Sequence, residues 1–182
     1  MTVQRGTVGA LSTLAATARF FGRHYLVVFA FGLGASLQRF LSVRYGDSWP
    51  AAGGVVGEIF TLVLRLLFLV WVARALLRKP GLLWHAGRRL AAFARHSWPV
   101  LVGHLVLLTA ATLIFNTLLE GVGPALLPES ARADFLAWLL AVKNVTVIPF
   151  TLIWLVTMLR DALASVPPVM AANEDRDGAQ RH

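Results

Sequence analysis

The chain has no cysteine and few charged side chains. Without cysteine it has no disulfide, no thiolate-bound zinc or iron–sulfur cluster, no covalent c-type haem and no thiol nucleophile. Only 14% of its 182 residues are charged, whereas a soluble domain carries about 25%. Hydrophobic residues make up 57%, and the mean hydropathy is +0.68. A water-exposed fold of this size could not bury so much apolar surface, so we expect lipid to solvate much of it.

Acidic residues are also scarce, and the charges are unevenly placed along the chain. The 17 basic residues outnumber the nine acidic ones, and residues 1–24 and 74–96 contain no acid at all. Acids occur instead in residues 39–58 and 120–134. This alternation follows the positive-inside rule, which places basic segments on the cytoplasmic side. It does not favour a nucleic-acid partner, and it predicts that both termini are cytoplasmic.

Four apolar stretches are long enough to cross a bilayer, which needs about 20 residues in a helix. We predict spans at residues 24–43, 55–77, 97–119 and 137–159. The first is the shortest, and a cleaved signal peptide is the alternative interpretation of that stretch. In the last span, we expect Lys143 to reach toward the interface and Pro149 to kink the helix.

These features predict an all-α, polytopic membrane protein with a single transmembrane domain over residues 1–168. Its four spans are expected to form two hairpins, followed by a disordered polar tail over residues 169–182. Residues 21–24 and 93–96 share the pattern Phe-x-Arg-His, and each copy lies just before a span. An amphipathic helical pattern leads into each copy. We therefore predict two amphipathic interfacial helices and a parallel repeat of two spans.

Arg65 is the most unusual residue, because it lies in the middle of an apolar span. A central guanidinium costs a membrane helix about 3 kcal/mol or more, so it usually faces a partner, a cavity or a pathway. Helical spacing predicts a polar cluster from two neighbouring spans, made of Arg65, Glu58, Thr109, Thr112, Asn116 and Glu120. This cluster is either a site for an anionic ligand or partner, or a structural clamp between helices.

The segment between the second and third spans is basic and amphipathic. Arg88, Arg89 and Arg95 fall on one face of the predicted helix. We expect that face to meet the anionic headgroups of the bilayer. Docking of a cytoplasmic partner is the alternative.

The sequence shows no recognisable catalytic or metal-binding motif. His24, His96 and His104 could approach one another near the cytoplasmic side, but an arginine precedes two of them and would repel a cation. Interfacial histidines are therefore the favoured interpretation. No nucleophile–base pair, His-Glu-x-x-His motif or phosphate-binding glycine loop occurs. We predict no enzyme activity, no cofactor and no metal.

The leading functional prediction is a non-enzymatic subunit or accessory of a membrane complex, because the loops are short and intramembrane polar groups are few. Its partner would be another membrane protein or further copies of this chain. One alternative is a small transporter or channel-like protein that uses Arg65 for an anionic solute or lipid. Another is a membrane-embedded enzyme for lipid-linked substrates. Only two of the 17 basic residues are lysine, which is typical of GC-rich genomes and favours a bacterial cytoplasmic membrane.

Overall fold

The computed structural model describes residues 2–45 and 54–165, with side chains from Val8 onward. The predicted polar tail and residues 46–53 of the first connecting loop lie outside these ranges. Within the described ranges the regular elements are all helices. In chain order they are α1 (Thr2–Arg23), α2 (Tyr25–Tyr45), α3 (Val55–Leu76), α4 (Ala86–His96), α5 (Trp98–Thr112), a π-helical segment (Leu113–Val122), α6 (Gly123–Ala125), α7 (Glu129–Val145) and α8 (Val147–Ala164).

Four helical stretches are long and apolar enough to cross a membrane, as the sequence predicts. They are Tyr25–Tyr45, Val55–Leu76, Trp98–Ala125 and Glu129–Ala164. The chain is therefore a multi-pass, all-helical membrane protein. Tyr45, Val55 and Glu129 mark what we call the distal end of the bundle, where an ion pair of 2.9 Å joins Arg44 to Asp134.

The fourth candidate span is 36 residues long and is interrupted at Thr146. Pro149 has no N–H group, so the carbonyl of Val145 has no donor four residues later. The helix ends there, and Thr146 adopts φ −120° and ψ −70° before α8 begins. The Thr146 hydroxyl donates to the carbonyl oxygen of Val142 at 2.7 Å. The predicted effect of Pro149 is thus seen as a break between two helices.

The closest contact between spans joins α2 to α7 through small residues. A Cβ atom on Gly32 would lie 2.9 Å from the Val145 Cα and 3.0 Å from the Asn144 carbonyl oxygen. One turn further on, the Ser36 hydroxyl donates to the Ala141 carbonyl oxygen at 2.8 Å. Small residues allow membrane helices to approach this closely. Close packing stabilises such a pair because lipid is as apolar as the helices and gives little hydrophobic driving force for their association. The α2–α7 pair forms the rigid wall beside Arg65.

An apolar core lies where α2, α3 and α8 meet, in the half of the bundle away from the distal end. Val28, Val72 and Ile153 are fully buried there, and Phe68 and Val156 complete the cluster. Phe31 of α2 contacts Phe68 of α3 near this core. Nearer the distal end, Gln38 of α2 accepts a hydrogen bond from Thr61 of α3, so the two helices run side by side in opposite directions. These contacts fix α3 and therefore the depth of Arg65.

α1 lies along the bundle rather than across its end. Its Thr13 hydroxyl donates to the Asp161 carboxylate at 3.0 Å, and the Phe21 ring lies 5.8 Å from the Phe150 ring. Because the partner numbers fall as the α1 numbers rise, α1 runs antiparallel to α8 along about 12 Å of its own length. A stripe of Ala10, Thr13 and Thr17 is buried in this contact. Short polar side chains thus supply part of the packing face of α1, and the location of this helix at the membrane interface stays a prediction.

Candidate functional site

A polar cavity of about 180 Å³ lies between the four candidate spans near the distal end. Its polar lining includes Arg39, Glu58, Arg65, Glu120, Lys143 and Asn144. Arg65 is ten residues from the start of α3, which places its Cα about 15 Å along the helix from that end. The cavity therefore carries charge well into the apolar length of the bundle.

Two ion pairs already occupy both carboxylates of the cavity. Arg39 pairs with Glu58, at a separation of 2.5 Å. Lys143 pairs with Glu120 and also donates to the side-chain oxygen of Asn116. The Lys143–Glu120 pair is the more enclosed of the two, with side chains only 13% and 29% exposed. Each carboxylate thus forms an ion pair with a cation other than Arg65.

Arg65 is the remaining cation of the cavity, and it has an uncharged partner. Its Nη2 group donates to the Asn144 side-chain oxygen at 3.0 Å. Within residues 2–45 and 54–165, no carboxylate forms an ion pair with it. Its side chain is nevertheless exposed at the cavity, midway along a helix whose other charged residues, Glu58 and Arg74, lie near its two ends. A guanidinium at this depth needs an anion, water or a partner to replace its hydration.

Asn144 is held in the orientation that makes it an acceptor for Arg65. It is 5% exposed, and its amide group donates to the Leu140 carbonyl oxygen at 2.8 Å. The close approach of Gly32 packs the α2 backbone directly against it. On the opposite wall, the Thr61 hydroxyl donates to the Gln38 side-chain oxygen at 2.8 Å. Both walls of the cavity are therefore braced by hydrogen bonds between or within helices.

The structure brings together only part of the predicted polar cluster. Arg65, Glu58 and Glu120 line the same cavity, and Asn116 reaches its edge through Lys143. Thr112 lines a neighbouring cleft. Thr109 is exposed and lines neither. The direct partner of Arg65 comes from the fourth span instead of the third.

Sequence reasoning missed three members of the site. Asn144 was not selected, because a single asparagine in an apolar helix does not indicate which neighbour it faces. Lys143 was expected to reach toward the membrane interface and Arg39 was not selected, yet each of them pairs with a carboxylate of the cavity. A usable signal was present: each is a charged residue inside or beside a predicted span, where charges usually pair with one another.

The π-helical segment Leu113–Val122 carries both Asn116 and Glu120. Such segments are rare, and shorter examples often occur at functional sites. None of its residues is buried within the described fold. It supplies the two groups that hold Lys143 between the third and fourth spans.

The predicted basic face of the second amphipathic segment needs one correction. Arg95 is exposed as expected, but Arg89 is only 6% exposed. Its Nη1 group donates to the carbonyl oxygens of Leu82 and Leu163, at 3.3 and 3.2 Å. Leu163 is in the last turn of α8, where free carbonyls attract a cation. Arg89 therefore joins α4 to the end of α8, while Arg88 contacts His85 on the exposed side.

The histidines lie in separate environments. His104 is buried and bonded to the indole N–H of Trp154 at 3.1 Å, and the His24 ring packs against Trp71 at 5.6 Å. The His96 ring is bonded to the carbonyl oxygen of Ala92 in its own helix. In the part of the chain that the structure describes, no three His, Asp or Glu residues are grouped in a way that could hold a metal ion.

Fold and cavity together define a class: a multi-pass helical membrane protein with a charged cavity between its spans. Comparisons with protein-family models, with curated proteins and with solved structures find no match to this chain.

Proposed function

We propose that this chain binds a small anionic group, a carboxylate or a phosphate, in the cavity around Arg65. The role is non-enzymatic, and it is that of a small transporter or channel-like protein. The observation that carries the proposal is the position of Arg65, a cation exposed to the cavity whose hydrogen-bonding partner within residues 2–45 and 54–165 is the Asn144 amide.

The charge count of the cavity supports an anion rather than a cation. Three cations and two carboxylates line it, which leaves one positive charge. Both carboxylates are already paired, so an incoming anion would meet Arg65 without displacing them. Asn144 fixes one N–H of the guanidinium, and the others can form the paired hydrogen bonds that arginine makes to carboxylate and phosphate.

The membrane setting of the proposal follows the charge pattern of the sequence. We place the four spans as two hairpins in a bacterial cytoplasmic membrane, with both termini in the cytoplasm. The acid-free basic segments then lie inside, as the positive-inside rule requires. In this orientation the distal end faces outward, and the cavity accepts its anion from that side.

Thermal unfolding of the purified protein in a neutral detergent tests the proposal, with inorganic phosphate and acetate as probes. A ligand that binds only the folded state stabilises it by about 2.7 kcal/mol at 100 times its Kd. The wild type and Arg74→Gln should both be stabilised, because Arg74 is an exposed arginine on the same helix outside the cavity. Arg65→Gln should lose the stabilisation. Equal stabilisation of all three proteins would contradict the proposal.

A second candidate function is that of a subunit in a larger membrane complex, and the third candidate span favours it. Only 6% of the apolar window of Trp98–Ala125 is buried within the chain. Thr109 and Thr112 are exposed in the middle of that span, and hydroxyls there commonly bond to a neighbouring helix. Purification from native membranes in a mild detergent, followed by mass measurement, tests this role. A stoichiometric second protein would support it, and a lone monomer would oppose it.

A further inference from the structure

A second cavity adjoins the polar one and opens between the third and fourth candidate spans. This lateral cleft has a volume of about 300 Å³. Leu108, Ala111 and Phe115 form one wall, and Val147 and Leu152 form the other. The volume is at the lower end of the range of about 300–1,000 Å³ that is usual for small-molecule pockets. Its walls are mainly apolar, with the hydroxyls of Thr112 and Thr151 partway along and Asn116 and Lys143 at the end next to the polar cavity.

Lys143 and Ile148 line both cavities, so the two are neighbours in space. Lys143 stands at the junction, with its amino group bonded to Asn116 and Glu120. On one side of it lies the cationic cavity with Arg65, and on the other lies the apolar cleft. The charged and apolar surfaces are therefore adjacent, and the side chain of Lys143 lies between them.

We infer that the ligand is an anionic amphiphile, with its carboxylate or phosphate beside Arg65 and its hydrocarbon chain in the lateral cleft. The inference rests on the proposed function, and it adds the substrate class. A small inorganic anion would use the polar cavity and leave the cleft to bulk lipid. An amphiphile fits both surfaces at once, because each part of it meets the environment that it needs.

The exposure of the third span indicates how such a ligand enters. That span forms one wall of the cleft and is almost unburied by the rest of the chain, so the cleft is reached sideways from the bilayer. The hydrocarbon chain of a ligand that is already dissolved in the bilayer moves from one apolar environment to another when it enters the cleft. Its transfer therefore costs little free energy. Selectivity for an anionic amphiphile over other lipids comes from its headgroup. The headgroup can pair with Arg65, because Arg65 lacks an acidic partner in the described fold.

Binding of two probes to the full chain in a neutral detergent tests the inference: dodecyl phosphate and inorganic phosphate. Ala111→Trp fills the cleft, and Ala110→Trp is its matched control, because Ala110 is exposed and lines neither cavity. Partition of the probe into micelles is the same for both variants, so their comparison isolates the cleft. We expect Ala111→Trp to weaken dodecyl phosphate binding at least tenfold, with inorganic phosphate changed less than twofold. Ala110→Trp should leave both affinities at the wild-type level.

A second pair of variants keeps the test valid if Ala111→Trp does not fold. Leu108→Trp narrows the same cleft, and Leu105→Trp places the ring on a residue that is 63% exposed one turn earlier. Equal affinity for the two probes, or equal effects of the cleft variants and their controls, would overturn the amphiphile while leaving the anion site intact. If Arg65→Gln binds both probes as the wild type does, the proposed function itself fails.

Discussion

The side-chain oxygen of Asn144 in α7 accepts a hydrogen bond of 3.0 Å from Arg65 in α3, a residue 79 positions earlier in the chain. An amide in this place holds the guanidinium without neutralising it. The charge of Arg65 therefore stays available inside the bundle, which is the basis of the proposed anion site.

Replacement of that amide by an acid should weaken the binding of an anion. In Asn144→Asp, the new carboxylate would lie beside Arg65 and occupy it as an internal anion. We expect phosphate affinity to fall at least tenfold, because Arg65 is then paired, and the new ion pair should offset part of the cost of losing the amide bond to the Leu140 carbonyl oxygen. Asn116→Asp is the control, because it adds an acid next to Lys143 and not next to Arg65. Asn144→Asp protein that binds phosphate normally would show that Arg65 is not the anchor.

Close packing at Gly32 should be sensitive to a single methyl group. In Gly32→Ala the Cβ would meet the α7 backbone at 2.9 to 3.0 Å, and overpacking of this kind costs about 1–3 kcal/mol. Gly22→Ala is the matched control, since nothing lies within 4 Å of the added atom. We expect thermal unfolding to show a loss for Gly32→Ala and no loss for Gly22→Ala. Equal melting temperatures would mean that α2 and α7 are not packed this closely.

The Lys143–Glu120 pair should show energetic coupling. Removal of one partner leaves the other charge unpaired in a largely enclosed place, and the partial exposure of Glu120 reduces the cost. We expect Lys143→Met and Glu120→Gln each to lower the unfolding free energy by about 1–3 kcal/mol. The double variant should lose less than the sum of the two, by about 1 kcal/mol. Strictly additive losses in the double-mutant cycle would contradict the pair.

The position of α1 can be tested by cross-linking, because the chain has no cysteine of its own. A Cβ atom on Gly9 would lie 3.8 Å from the Val100 Cβ, which matches the separation of about 3.8 Å in disulfides. Oxidation of the Gly9→Cys/Val100→Cys variant in membranes should give an internal disulfide, seen as faster migration without reductant. The pair Gly22→Cys/Val100→Cys should not cross-link. Failure of the first pair would place α1 away from the bundle.

The number and positions of the spans could be predicted because they depend on apolar length alone, which the bilayer thickness sets. Arg65 was found for a related reason, since a charge within such a length is conspicuous. How the spans pair could not be predicted, because lipid-facing and protein-facing residues are equally apolar in a membrane. The contact of Gly32 with α7 illustrates this. It forms because Gly32 has no side chain, but many glycines make no helix contact, so a glycine in the sequence does not by itself predict one.

The helices outside the spans were harder to place for a different reason. A helical wheel put Arg89 with the other arginines, but it cannot show that a carbonyl of α8 lies within reach. In α1 the buried stripe contains Thr13 and Thr17, while the more apolar Val8 and Leu11 are 61% and 54% exposed. Where lipid surrounds a helix, hydrophobicity no longer marks the inner face.

The most direct measurement is the location of a bound anion by anomalous X-ray diffraction from crystals grown with selenate, a tetrahedral dianion like phosphate. We expect a peak in the polar cavity, in contact with the Arg65 guanidinium and absent from crystals of Arg65→Gln. Selenate found only on exposed arginines such as Arg95, with none beside Arg65, would contradict the anion site.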